Sequence, residues 1–98
     1  MNQRFIGKSG PWEMTEQHLV KEGPPVIDIH YKGMSIARVY VESDADADNA
    51  RLISKAPELL ELARRIRWLL AQRYYPGRER DEQTILNEAE LVLREIER

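Results

Sequence analysis

Residues 46–63 read DADNARLISKAPELLELA, and they decide the fold of the second half of the chain. Apolar residues recur from Leu52 at alternating steps of four and three, which is typical of an amphipathic α-helix. The acidic run Asp44 to Asp48 comes first, and carboxylates are favourable where the N–H groups of a helix start are unpaired. Pro57 has no backbone N–H and crowds the carbonyl of Ile53. We therefore expect a bend there, or a new helix with Pro57 in its first turn.

Two apolar stripes predict two long helices. The first comprises Leu52, Ala56, Leu59, Ala63, Ile66 and Leu70, widened by Ile53, Leu60 and Leu69. The second comprises Ile85, Ala89, Val92 and Ile96, supported by Leu86 and Leu93. Tyr74-Tyr75-Pro76-Gly77 separates them, and this short connection favours antiparallel neighbours. We expect Asp81 to cap the last helix, and Glu61 and Arg65 to pair at i,i+4 on the polar side of the first.

The first half of the chain has the alternation of β-strands. Val26 to Tyr31 and Met34 to Val41 predict a hairpin, with Lys32 and Gly33 as its turn. In that register one face carries Ile27, Ile29, Tyr31, Met34, Ile36, Arg38 and Tyr40, and this face is the better core candidate. The other face carries Val26, Asp28, His30, Ser35, Ala37, Val39 and Val41. Pro11 to Val20 is expected to form a first strand, and Met1 to Gly10 an arm or an edge strand anchored by Phe5 and Ile6.

Together these elements predict an α+β fold: a small antiparallel sheet of three to four strands followed by a C-terminal antiparallel helical hairpin. The chain of 98 residues is long enough for one domain, with the sheet in residues 1–43 and the hairpin in residues 44–98. Because so small a core is marginal by itself, we expect a homo-oligomer.

Composition argues against several classes of partner. The net charge of -2 makes general attraction to nucleic acid or to an anionic membrane unexpected, although a local basic patch remains open. No apolar segment is long enough to span a bilayer, and the N-terminus lacks the apolar stretch of a signal peptide. Cysteine is absent, which excludes disulfides and thiolate sites and permits a cytoplasmic location.

Catalytic and metal-binding patterns are weak. His18 and His30 lack metal-ligand spacing, so no metal and no cofactor are expected. Asp44, Asp46 and Asp48 alternate as chelating carboxylates do, but the glycine and final glutamate of a calcium loop are missing. The plainer interpretation of these three residues is an acidic helix start. No serine lies in a nucleophile elbow, and we expect no enzymatic activity.

The strongest binding pattern is a group of arginines with aromatic neighbours. Arg64, Arg65, Arg67 and Arg73 lie close together with Trp68, Tyr74 and Tyr75. Guanidinium groups bind phosphates and aromatic faces stack on bases, so this pattern indicates a nucleotide site. The alternative is a solvated helix face whose arginines pair with Glu58 and Glu61, beside aromatic residues that fill the end of the core. Asn49, near a helix start, either bonds to the backbone or directs its amide at a ligand.

Three segments resemble small proteins encoded by tailed phages and prophages. They are Gly10-Pro11-Trp12, Ile36-Ala37-Arg38-Val39 and the run from Asn49 to Glu61, which together extend over about half of the chain. The resemblance implies a phage origin more directly than an activity, because most such proteins have no assigned role.

A looser resemblance concerns function. The Asn-Ala-x-Leu-Ile element at Asn49, after a small sheet and before helices, is similar to the Thoeris anti-defence sponges of phages. Those proteins oligomerise and sequester cyclic nucleotide immune signals without degrading them. The resemblance implies that Asn49 contacts the ligand and that arginines of the following helix hold its phosphates. Arg64, Arg65 and Arg67 are candidates by position, and Pro57 departs from the sponge pattern.

Two functional hypotheses follow. The first is a non-enzymatic phage protein of the host cytoplasm that sequesters a nucleotide signal and so counters host defence. The second is a protein-interaction module, or an inhibitor of a host protein, with no small-molecule ligand. A DNA-binding regulator is disfavoured because no helix-turn-helix spacing is present and the charge is acidic. The predicted ligand-binding residues are Asn49, Arg64, Arg65, Arg67, Trp68 and Tyr40.

Overall fold

The computed structural model describes residues 10–97 and places them in two compact units. The first unit extends to Pro57 and the second begins at Glu58. The element order is β1 (Glu13–Met14), β2 (Val26–Tyr31), β3 (Met34–Tyr40), α1 (Asp44–Ser54), α2 (Ala56–Ala71) and α3 (Arg78–Ile96). The predicted α+β class is therefore confirmed, and the predicted arm at Met1 to Gly10 lies, apart from Gly10, outside the described residues.

The three strands form one antiparallel sheet in the order β1-β2-β3. Lys32 and Gly33 form the predicted turn of the β2–β3 hairpin, with φ values of 49° and 80°. Positive φ at both turn positions matches the twist of the flanking strands. The first strand is shorter than predicted: β1 has two residues, and beyond it the chain meets the sheet at hydrogen bonds between Thr15 and Asp28 and at an isolated bridge between His18 and Val26.

An irregularity in β3 changes which side chains face the core. His30 pairs with Ser35, but Ile29 pairs with Ala37, so Ile36 is an extra residue in β3. After this bulge Val39 lies opposite Ile27. The prediction that Arg38 and Tyr40 share the face of Ile27 and Ile29 is therefore wrong, because one added residue moves the side chains that follow it in β3 to the other face.

The opposite face of the sheet carries a polar cluster. Arg38 donates two hydrogen bonds to Asp28, from Nε at 2.7 Å and from Nη2 at 3.2 Å. His18 Nε2 lies 3.4 Å from the same carboxylate. The hydrogen bond from Arg38 holds the pKa of Asp28 below its usual value of 3.8. This pairing exists only in the register that the bulge creates.

Helix α1 covers the apolar face of the sheet and packs against all three strands. The cluster of buried residues contains Ile27, Val41 and Ala50, with Val39 and Ala47 packed against it. The buried positions of α1 are Ala50 and Ser54, whereas Leu52 of the predicted stripe is exposed. Small residues therefore let α1 lie close to the strands.

The acidic run begins α1 as predicted, with Ser43 as the N-cap residue. The Asp46 carboxylate accepts hydrogen bonds from the backbone N–H groups of Glu42 and Ser43, at 2.9 Å and 3.2 Å. These bonds fix the chain entering the helix. At the other end Lys55 separates α1 from α2, and Pro57 lies in the first turn of α2. The expectation of a new helix at Pro57 is therefore confirmed.

Helix α3 begins earlier than predicted. Its N-cap residue is Gly77, so the assignment of that role to Asp81 is wrong. Asp81 lies in the first turn and accepts a hydrogen bond from the Tyr75 hydroxyl. Arg78 stabilises the connection at residues 74–77. Its Nη1 donates to the carbonyl of Gln72 at 2.9 Å, and its Nε donates to Glu82 Oε1 at 3.0 Å. Across residues 10–97, no helix combines the length and apolar character needed to cross a membrane.

Candidate functional site

The α2–α3 hairpin contains an open groove with a volume of about 350 Å³. Four of its lining residues follow one face of α2 at steps of three and four, and the others come from the first two turns of α3. The lining residues are Glu61, Arg64, Arg65 and Trp68 of α2, with Asp81, Thr84 and Ile85 of α3. Three predicted ligand-binding residues, Arg64, Arg65 and Trp68, therefore lie together.

Arg65 is held by α3 rather than by its own helix. It forms an ion pair with Glu88, not the predicted i,i+4 pair with Glu61. The hydrogen bond between them raises the pKa of Arg65 and lowers the pKa of Glu88. Glu61 instead pairs with Arg64 at i,i+3, with 3.9 Å between Glu61 Oε2 and Arg64 Nη1. Arg64 is thus the more loosely held of the two guanidinium groups.

An aromatic pair, Trp68 and Tyr75, lies near the connection, and Trp68 lines the groove. The Trp68 side chain is 52% exposed, and its ring meets that of Tyr75 edge to face at a centroid distance of 5.9 Å. The hydrogen bond to Asp81 raises the pKa of Tyr75 to about 12. Asp81 is therefore already hydrogen-bonded to Tyr75, and about half of the Trp68 side chain stays exposed at the groove.

The charges in the groove decide what it can bind. Arg64 and Arg65 are balanced by Glu61 and Asp81, so the lining is neutral overall. Each arginine already has an acidic partner. An anion that binds here therefore has to displace a carboxylate from a guanidinium group. The arrangement suits a planar anionic ligand that stacks on Trp68 and bonds to Arg64.

The other predicted ligand-binding residues do not line this groove. Arg67 lies on α2 and is exposed. Asn49 is an exposed residue of α1, and Tyr40 is a half-exposed residue at the end of β3, both in the first unit. Among residues 10–97, no group of three or more histidine, aspartate or glutamate side chains is placed to hold a metal ion.

The contribution of α3 to the groove was not among the predictions made from the sequence. Thr84 and Ile85 line it, and Glu88 holds Arg65. A signal for these residues was present, because antiparallel helices around the 74–77 connection place residues near 85 opposite residues near 65. The pairing could therefore have been read from the predicted hairpin, but not from either helix alone.

The comparison with protein families gives a match over nearly the whole chain. Residues 1–95 match the family of Salmonella phage P22 protein Y8K6. The chain belongs to this phage protein family. Neither a curated protein nor a solved structure matches it. Membership in the Y8K6 family confirms the prediction of a phage protein, while the similarity to the Thoeris sponges stays a hypothesis.

Proposed function

We propose that this Y8K6-family protein is a non-enzymatic binding protein that sequesters an anionic nucleotide, of the cyclic immune-signal class, in the host cytoplasm. The observation that carries the proposal is the groove that presents Arg64 and Arg65 beside the half-exposed Trp68. Guanidinium groups supply phosphate recognition and an indole supplies a stacking surface for a base. Binding without turnover is sufficient to lower the concentration of a signal.

The proposal assigns different roles to the groove residues. Arg64 bonds to a phosphate, because its partner Glu61 lies at 3.9 Å and is easily exchanged. Arg65 remains paired with Glu88 and contributes charge from its fixed position. Glu61 and Asp81 oppose the anion, and they favour a ligand whose negative charge is confined to one end.

Calorimetric titration of the purified protein against a panel of cyclic mononucleotides and cyclic dinucleotides tests this proposal. We expect at least one member to bind, with Arg64→Gln and Trp68→Ala each weakening that binding at least tenfold. Glu61→Gln should strengthen it, because a repelling charge is removed. Arg73→Gln is the matched control, since Arg73 is an exposed arginine outside the groove lining.

Native mass spectrometry of protein freshly purified from cells complements the titration. A reproducible added mass of nucleotide size would identify the ligand and support the proposal. Protein that carries no added mass and gives no heat with any member of the panel refutes it. Conversion of the bound nucleotide into a product refutes the non-enzymatic part alone.

A second candidate function is a protein-interaction module or an inhibitor of a host protein. It is favoured by the carboxylate partners of both groove arginines and by two exposed aromatic residues near the connection, Trp68 and Tyr74. Exposed aromatic residues are typical anchors of protein interfaces. On this hypothesis Tyr74→Ala abolishes capture of a specific host protein, while Tyr40→Ala, at a half-exposed tyrosine of the sheet, leaves it unchanged. No capture by the wild-type chain contradicts it.

A further inference from the structure

The α2–α3 hairpin leaves two apolar stripes uncovered. On α2, Ala63, Ile66 and Leu70 lie at steps of three and four, and all three are exposed, with Leu70 at 71%. On α3, Leu86 and Leu93 are seven residues apart on one face, and about half of each is exposed. An apolar stripe of this period is normally buried, so these faces have the character of an interface.

The charges beside the two stripes are opposite in sign. Arg67 flanks the α2 stripe, four residues after Ala63 and three before Leu70. On α3, Glu90 lies between the two leucines of the stripe, four residues after Leu86 and three before Leu93. Both charged residues are exposed, and within residues 10–97 neither has an ion-pair partner. The positive charge beside the α2 stripe is therefore complementary to the negative charge beside the α3 stripe.

The same complementarity holds for the whole hairpin. The half around the connection, residues 64–82, contains six arginines and three carboxylates. The remaining parts, residues 58–63 and 83–97, contain six glutamates and one arginine. Two copies that are inverted relative to each other bring the positive half of each beside the negative half of the other. Two copies in the same orientation would repel.

We propose that the occupant of this face is a second copy of the chain, related by a two-fold axis. The α2 stripe of each copy packs against the α3 stripe of the other, with Arg67 facing Glu90 of the partner subunit. Two-fold symmetry forms this contact twice, along helices of 16 and 19 residues, or about 24 Å and 28 Å. The apolar side chains supply the affinity, and the charges fix the orientation.

Sedimentation velocity of the full chain at several concentrations tests the apolar part. We expect a dimer, and we expect Leu70→Ser to shift it to monomer at concentrations where wild type is dimeric. Leu91→Ser is the matched control, because Leu91 is 53% exposed and lies on the other side of α3 from Leu86 and Leu93. Circular dichroism verifies that both variants keep their helices.

A charge exchange tests the orientation. Arg67→Glu and Glu90→Arg are each expected to raise the dimer Kd at least tenfold, and the double variant to restore it. Arg80→Glu changes the charge of the same half of the hairpin at an exposed arginine away from the stripes, so it should raise the Kd much less than Arg67→Glu does. A monomeric wild type, disruption by Leu91→Ser but not by Leu70→Ser, or a double variant that stays weakened overturns the proposal. None of these residues lines the groove, so failure here is distinguishable from failure of nucleotide binding.

Discussion

Gly10 is packed so closely against the first turn of α2 that it has no room for a side chain. A methyl group added at Gly10 would lie 2.8 Å from both Cβ and Cγ of Pro57, and 3.1 Å from the backbone N of Trp12. Contacts this short require movement. Pro57 cannot rotate away, because its ring is fixed to the backbone of the helix start. Gly10→Ala therefore tests whether the Gly-Pro-Trp segment packs against Pro57.

The expected cost of Gly10→Ala has two parts. The φ of Gly10 is +82°, and a side chain in that region costs about 1–2 kcal/mol. The clash with Pro57 adds about 1–3 kcal/mol, the usual cost of overpacking. The total is about 2–5 kcal/mol, a large part of the stability of a domain of this size.

Gly23→Ala is the matched control, because it carries the same strain without the clash. Its φ is +93°, and a methyl group there meets nothing within 4 Å. We expect it to cost about 1–2 kcal/mol. The entropy that alanine removes from the unfolded chain is common to both variants, so the difference measures the close contacts at Gly10, which are those with Pro57 and with the backbone N of Trp12. Urea denaturation measured by circular dichroism gives both free energies of unfolding.

A double-mutant cycle with Pro57→Gly completes the test. This variant removes both ring atoms that a methyl group at Gly10 would meet, so Gly10→Ala should then cost less than it does in the wild-type background, which isolates the contact with Pro57. Equal costs for Gly10→Ala and Gly23→Ala in the wild-type background would contradict a close contact between Gly10 and Pro57. Coupling near zero in the cycle would refute it as well.

Three further predictions concern hydrogen-bonded carboxylates. Asp46→Ala should lower the free energy of unfolding by about 1 kcal/mol, because two backbone N–H groups before α1 lose their acceptor, and urea denaturation measures this. Asp46→Asn, which keeps one acceptor, should cost less. Tyr75 should titrate near pH 12 by phenolate absorbance, and Asp81→Asn should lower its pKa towards 10. Because the folded pKa is raised, this hydrogen bond stabilises the fold below pH 10 and is lost as the pH rises towards 12. Arg38→Gln should raise the pKa of Asp28, which a carboxyl NMR titration measures. Because the pKa of Asp28 is lowered in the folded state, the stabilisation of the fold by this hydrogen bond is lost as the pH falls below about 3.8. Unchanged values in these variants would contradict the respective hydrogen bonds.

Part of the candidate site was predictable because it lies on one helix. Arg64, Arg65 and Trp68 are within five residues of one another, and helical spacing alone brings them to one side of α2. The partners of these residues were not predictable in the same way. Arg65 had an acidic neighbour in Glu61 on its own helix, yet it pairs with Glu88, which is 23 residues away.

Features that depend on neighbouring residues were predictable from the sequence alone. The turn at Lys32 and Gly33, the acidic start of α1 and the new helix at Pro57 all follow from backbone conformation and local hydrogen bonding. These effects act within a few residues, so no knowledge of the rest of the chain is needed to predict them.

Tertiary structure decided which residues meet across long separations. The extra residue at Ile36 turns Val39 towards Ile27 and leaves Arg38 beside Asp28, a pairing that strict alternation does not give. Contact between Gly10 and Pro57 joins segments that are 47 residues apart. A local sequence pattern is often compatible with several registers, and only one register fills the core. Such contacts are therefore selected by the packing of whole elements against one another.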